Sequence, residues 1–489
     1  MLNIGLGVLR TKAMALILGP SGVGLLGLYG AIADLARTVA GMGISSSGVR
    51  QIAEAVGSGD ELRVARTITT LRRTVFVLAI CGALLLIVFC KPVARLSFND
   101  ANRAGAVALL ALAVFFGTIS AGQIALVQGM RRIADLARAS VCGAFYGTLL
   151  SIALVYFYAK RGNPEGGVVP ALVCVAAMAL LASWWYSRKI EGERASMKFA
   201  DIIDEASALL KLGLVFMAAG LMSMGTAYLV RIIVLRKIGV EAAGFYQAAW
   251  VLGGLYVGFI LQAMGADFFP RLTAVANENQ ECNRLVNEQA EVSLLMAGPG
   301  ILGTLTFAPL VIHVFYSPKF EPAVEVLRWI CLGMMLRVAS WPMGFILLAK
   351  GARQPFFWSE LASNIVQVAL VWVFVIQFGL KGTGIAFFAG YVFYWFLIYA
   401  IVRWQSGFRW SKANVQIGLI YAGLVTVLFA GWYLLSQKLL TIGGTAITVL
   451  AAFFSLRTLC KLVPIERFPL LARQIVLLLR LASPHPPGA

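Results

Sequence analysis

Leu18-Gly19-Pro20-Ser21-Gly22-Val23-Gly24 interrupts one long apolar run, and Ile238-Gly239-Val240-Glu241-Ala242-Ala243-Gly244 interrupts another in the same way. From the first turn an apolar span leads through Met42-Gly43 to Arg50; from the second, one leads through Met264-Gly265 to Arg271. Further on, Gln128-Gly129-Met130-Arg131 parallels Lys350-Gly351-Ala352-Arg353, and Glu165-Gly166-Gly167-Val168 parallels Lys381-Gly382-Thr383-Gly384. Each match is weak by itself, but their common order and offset of about 220 residues indicate a duplication. That offset holds six apolar spans. Six is even, so the two halves share one orientation and are related by an axis along the membrane normal, an arrangement found in secondary transporters.

Composition agrees with a polytopic membrane protein. Of 489 residues, 60% are hydrophobic and only 13% charged, where a globular domain carries about 25% charged. The expected fold is all-α, with about fourteen transmembrane spans of about 17–25 residues. The expected division is a six-helix lobe over 1–190, a cytoplasmic linker over 191–211, a second six-helix lobe over 212–405, two additional helices over 406–463 and a cytoplasmic tail from 464 to 489. Within the tail, Phe468 to Leu481 is amphipathic and expected to lie on the membrane surface.

A net charge of +19 could point to nucleic acid, but its distribution points to topology. About 25 of the 41 Lys and Arg residues fall in one alternate set of loops and about 10 in the other, as the positive-inside rule requires. An even span count then places both termini in the cytoplasm. The seven cysteines form no CxxC pair, and His313 and His485 have no spacing partner, so neither a disulfide framework nor a metal site is expected.

Five cations lie inside otherwise apolar spans: Arg10, Lys12, Arg37, Arg231 and Arg337. Charge at that depth costs at least about 2.5–3.5 kcal/mol, which favours a water-filled cavity built for an anion. Snorkelling to an interface or structural pairing is the alternative for each, and Arg328, nearer a span boundary, is expected to be interfacial. Asp34 lies three residues before Arg37, on the same helical face. It is either an internal ion-pair partner or a proton or sodium site whose ionisation releases Arg37 for phosphate. Asp267 could be a second coupling acid, although a cytoplasmic-end cap suits it better. Trp184, Trp185 and Tyr186, with Tyr391, Tyr394 and Trp395, fit membrane-interface belts better than sugar-stacking platforms. The Gly253-Gly254 pair is expected to allow close helix approach.

The stretch from Lys12 to Ala55, above all Leu18 to Leu25 and Gly41-Met42-Gly43-Ile44-Ser45, resembles the Wzx O-antigen flippases of the multidrug/oligosaccharidyl-lipid/polysaccharide exporter superfamily. The second-half counterpart extends the likeness over about the first 400 residues. Two features depart from the family pattern: Met1 starts almost inside the first span, and spans thirteen and fourteen exceed the commonest twelve-helix plan. The resemblance implies a transporter, not an enzyme, of the bacterial inner membrane. Its substrate would be an undecaprenyl-pyrophosphate-linked repeat unit, passed from the cytoplasmic to the periplasmic face. Membrane lipids, a polysaccharide polymerase and a chain-length regulator are the partners it implies, with proton or sodium coupling in place of a cofactor. A lipid II flippase, a multidrug exporter of the same superfamily and, more remotely, an integral-membrane polymerase or glycosyltransferase are the rivals.

Overall fold

The computed structural model describes residues 2–190 and 199–462, and among these there is no strand. Part of the expected linker and the expected amphipathic stretch from 468 to 481 lie outside the described residues. Eleven described helices are long and apolar enough to cross a membrane, or twelve if a pair bent by 82° counts as one span. The fourteen expected spans are not reached by that measure. The apolar stretches on either side of the interruption at 18–24 are joined in helix α1 (Leu2–Gly41), which is broken at Gly19 (φ 66°, ψ −171°). The interruption is thus a single glycine in a conformation other residues avoid, followed by Pro20, which suits the first position of a new helical segment.

Two compact units are present. The first holds Met1–Gln247 with Val314–Phe320. It contains α1, α2 (Ile44–Gly57), α3 (Glu61–Val88), α4 (Cys90–Phe98), α5 (Ala104–Gly129), α6 (Ile133–Lys160), α7 (Val168–Ser187), α8 (Phe199–Lys237) and the first turns of α9 (Val240–Ala274). The second holds Ala248–His313 with the described residues from Glu321 onward. It contains the rest of α9, α10 (Asn279–Thr306), α11 (Ala308–Phe315) up to His313, α12 (Ala323–Ala349), α13 (Arg353–Phe378), α14 (Lys381–Ser406), α15 (Lys412–Leu434) and α16 (Gln437–Leu462). The α10–α11 pair is the bent one.

In the first unit α1 is central: 61% of its most apolar window is buried, and it packs on α3, α5, α6 and α8. Leu25, Leu28, Tyr29 and Ile32 of α1 share a core with Val107, Leu110 and Val114 of α5. The turns quoted at the outset meet here. A Cβ added to Gly24 would lie 2.8 Å from the Gly244 amide nitrogen, and one on Gly244 would lie 3.2 Å from that of Gly24. Only glycine permits this backbone contact, so the two motifs are matched in space as well as in sequence.

In the second unit α12 is central, with 67% of its window buried against 11% for α13. Gly253 does allow close approach, since a Cβ there would stand 2.5 Å from Ile330 Cγ2 of α12. The two extra helices are integral to this unit. Asn414 Nδ2 donates to Asn287 O (2.8 Å), Asn287 Oδ1 accepts from the Ser411 amide (2.7 Å), and Tyr421 bonds Ser455. Arg328 corrects its expected interfacial position. It is 2% exposed, with its guanidinium carbon 3.2 Å from the Trp432 ring centre on α15, because an aromatic face supplies the attraction that headgroups would.

Candidate functional site

One cavity of the first unit carries the chemistry the sequence pointed to. It encloses about 460 Å³ among α1, α2, α5 and α8. The second segment of α1 brings Asp34, Arg37 and Thr38 to its wall, one turn apart, and Thr38 is held by its hydroxyl bonding Asp34 O (2.8 Å). Asp34 and Arg37 are ion-paired and 48% and 42% exposed. They therefore face space a solute could enter. Thr118 of α5 and the start of α2 complete the polar side, while Met217, Gly220 and Met224 of α8 give a small, apolar opposite side. Gly117 is what lets Arg37 lie flat against α5: a Cβ there would be 3.0 Å from Arg37 Nη1.

The other expected site residues are placed differently. Arg231 donates through Nε to Gln247 Oε1 (3.0 Å) and through Nη1 to Ala227 O (2.8 Å). The same Gln247 oxygen would lie 2.8 Å from a Cβ on Gly27, so this arginine is held at the α1–α9 contact and does not line the cavity. Arg10 and Lys12 are half-buried on the first segment of α1 and do not line it either. Asp267 is exposed, lies inside α9 and not at a cap position, and pairs with Arg271 at 3.4 Å. Of the acids and cations proposed from sequence, the structure joins Asp34 to Arg37.

Arg337 belongs to the second unit and has aromatic neighbours. Its guanidinium carbon is 5.4 Å from the Trp341 ring centre and 5.9 Å from that of Tyr391, and among the described residues its Nε has no hydrogen-bond partner. Tyr394 donates to Glu360 Oε1 at 3.0 Å, and Glu360 is within electrostatic reach of Arg337. Tyr391 and Tyr394 therefore serve this cluster and not an interface belt. Trp184 and Trp185 remain about half exposed under Arg188, as a belt requires. Sequence reasoning missed Glu360. A carboxylate inside an apolar stretch was a legible signal for it.

Residues 13–325 match the family described as polysaccharide biosynthesis protein. The chain belongs to this family. A lipid III flippase of Escherichia coli K12 is 21% identical to this polysaccharide biosynthesis protein over 419 residues, spanning 81% of this chain and 94% of the relative. Among solved structures, the fold matches an inward-facing multidrug resistance MATE family transporter of the MOP superfamily with a TM-score of 0.70 at 15% identity. That match covers 82% of this chain and 94% of the other. The lipid II flippase MurJ in an inward closed conformation also matches at 0.70, with 14% identity, over 94% and 97% of the two chains. The family member thus shares the fold of these two transporters.

Proposed function

We propose that this protein is a flippase for lipid-linked oligosaccharides. It passes an undecaprenyl-pyrophosphate-linked repeat unit from the cytoplasmic to the periplasmic face of the inner membrane by alternating access, for O-antigen or another surface polysaccharide. The observation that carries this reading is Arg37, a cation set within a span and turned into a cavity. A flippase must lower the cost of desolvating a diphosphate, and a guanidinium does so through charge-assisted, bidentate hydrogen bonds.

The cavity volume lies within the range of about 300–1,000 Å³ that holds a compact ligand. It suits the diphosphate and the first sugar, with the remaining glycan in the wider path opened during transport. Asp34 sets the terms of release. An ionised Asp34 holds Arg37 in the pair, so phosphate gains access when Asp34 takes up a proton or a cation and not, as its spacing first implied, when it ionises. The multidrug reading gains nothing from the embedded acids, because Asp34 is matched by Arg37 and Glu360 lies near Arg337.

The test is flipping of a fluorescent undecaprenyl-pyrophosphate oligosaccharide by the purified protein in liposomes, read by a membrane-impermeant quencher. Wild-type protein is expected to expose the label on both leaflets. Arg37→Glu is expected to insert normally and flip nothing; full flipping by that variant would overturn the reading.

A further inference from the structure

The two copies of the Met-Gly pair behave differently. Met264-Gly265 stays within α9, whereas Met42 (φ 43°) and Gly43 (φ 68°) are both left-handed and separate α1 from α2. A methionine adopts that conformation at a cost, and its counterpart shows that the dipeptide does not demand it. A Cβ on Gly43 would lie 2.7 Å from the Gly213 carbonyl carbon of α8, so packing as well as conformation requires glycine. The break brings the first turn of α2 to the cavity, where Gly43, Ile44, Ser45 and Ser46 form part of the wall.

We propose that this end of the cavity is a phosphate-binding site, built from the α2 N-terminus, the Thr118 hydroxyl and Arg37. The proposal rests on the flippase reading and names the place where the substrate's phosphate first docks. Among the described residues no side chain caps the start of α2, although it is fourteen residues long. Gly43 O accepts from the Ser46 and Ser47 amides (3.1 and 3.2 Å), and among the described residues the Ile44 and Ser45 amides have no backbone acceptor. Free amides at a helix start, with the positive end of its dipole, receive an anion.

Thr118 points independently to a ligand. It is 3% exposed, lines the cavity, and among the described residues its Oγ1 has no hydrogen-bond partner. Threonines in helices usually bond the carbonyl four residues back, as Thr38 and Thr67 do here. Thr118 holds its hydroxyl in reserve. Arg37 offers further donors beyond the one it gives Asp34. Asp34 balances the arginine's charge, so the amides and hydroxyl supply the preference for an anion.

The full chain in detergent would be titrated calorimetrically with inorganic pyrophosphate, undecaprenyl pyrophosphate and phosphatidylglycerol. Thr118→Val is expected to weaken both pyrophosphates about ten-fold, the loss of one hydrogen bond to a charged group, without lowering the unfolding temperature. Thr118→Ser is expected to restore binding. Wild-type affinity in Thr118→Val would overturn the site, and so would failure of wild-type protein to bind either pyrophosphate. Equal, Thr118-dependent binding of phosphatidylglycerol would assign the pocket to bilayer headgroups and overturn its substrate role. Flipping measured in parallel separates the two proposals. Transport with Thr118-independent pyrophosphate binding removes the site alone; Thr118-dependent binding without transport removes the flippase reading alone.

Discussion

Gly117→Ala should damage transport while leaving the fold intact. The added methyl group would stand 2.5 Å from Arg37 Cδ and 3.0 Å from its Nη1, where non-bonded heavy atoms prefer about 3.5–4.0 Å. The arginine side chain must therefore move by about 1–1.5 Å, and a long, flexible side chain can do so. Replacing glycine by alanine inside a helix favours folding by up to about 1 kcal/mol. The disturbed Asp34–Arg37 contact, an i,i+3 pair about half exposed, contributes only about 0.2–0.5 kcal/mol. Those terms nearly cancel, so thermal unfolding in detergent should stay within about 1 kcal/mol of wild type. Function is less tolerant, because a displacement of about 1 Å in a positioned group can cost up to about a hundred-fold; a drop of about ten-fold in the flipping rate is expected. Liposome flipping at the wild-type rate, with unfolding unchanged, would show that the position of Arg37 against α5 does not matter and would refute the reasoning.

Asp34→Asn should change how flipping depends on an imposed proton or sodium gradient, since asparagine keeps the shape but cannot change charge; an unchanged dependence would remove Asp34 from coupling. Arg328 and Trp432 should show a coupling of about 2 kcal/mol in a double-mutant cycle of Arg328→Met and Trp432→Leu, the value of a desolvated cation–aromatic contact. Strict additivity in denaturant unfolding would mean that Arg328 is held by other means.

Much of the fold could be read from particular residues. Gly19 and Gly239 mark where helices end because both hold positive φ, and the quoted Gly24 and Gly244 lie in backbone contact. Asp34 and Arg37 share a face as their spacing requires. The break at Met42-Gly43 was not legible, since an equal dipeptide at 264–265 stays helical; the difference depends on contact with Gly213, about 170 residues away. Burial of Arg328 was hidden for a related reason. In a membrane both lipid-facing and core-facing sides of a helix are apolar, so periodicity does not tell them apart, and the Trp432 that receives Arg328 lies a hundred residues downstream. Glu360 was legible as a carboxylate inside an apolar stretch, while its partner Tyr394, 34 residues on, shows only in the fold.

The central claim is that phosphate is carried through the membrane by cavity groups gathered around Arg37. Cryo-electron microscopy of the full chain in nanodiscs with an undecaprenyl-pyrophosphate oligosaccharide tests it most directly. The expected map has phosphate density within hydrogen-bond distance of Arg37, Thr118 Oγ1 and the first amides of α2. Diphosphate density lodged away from that cavity, with Arg37 still closed on Asp34, would contradict it.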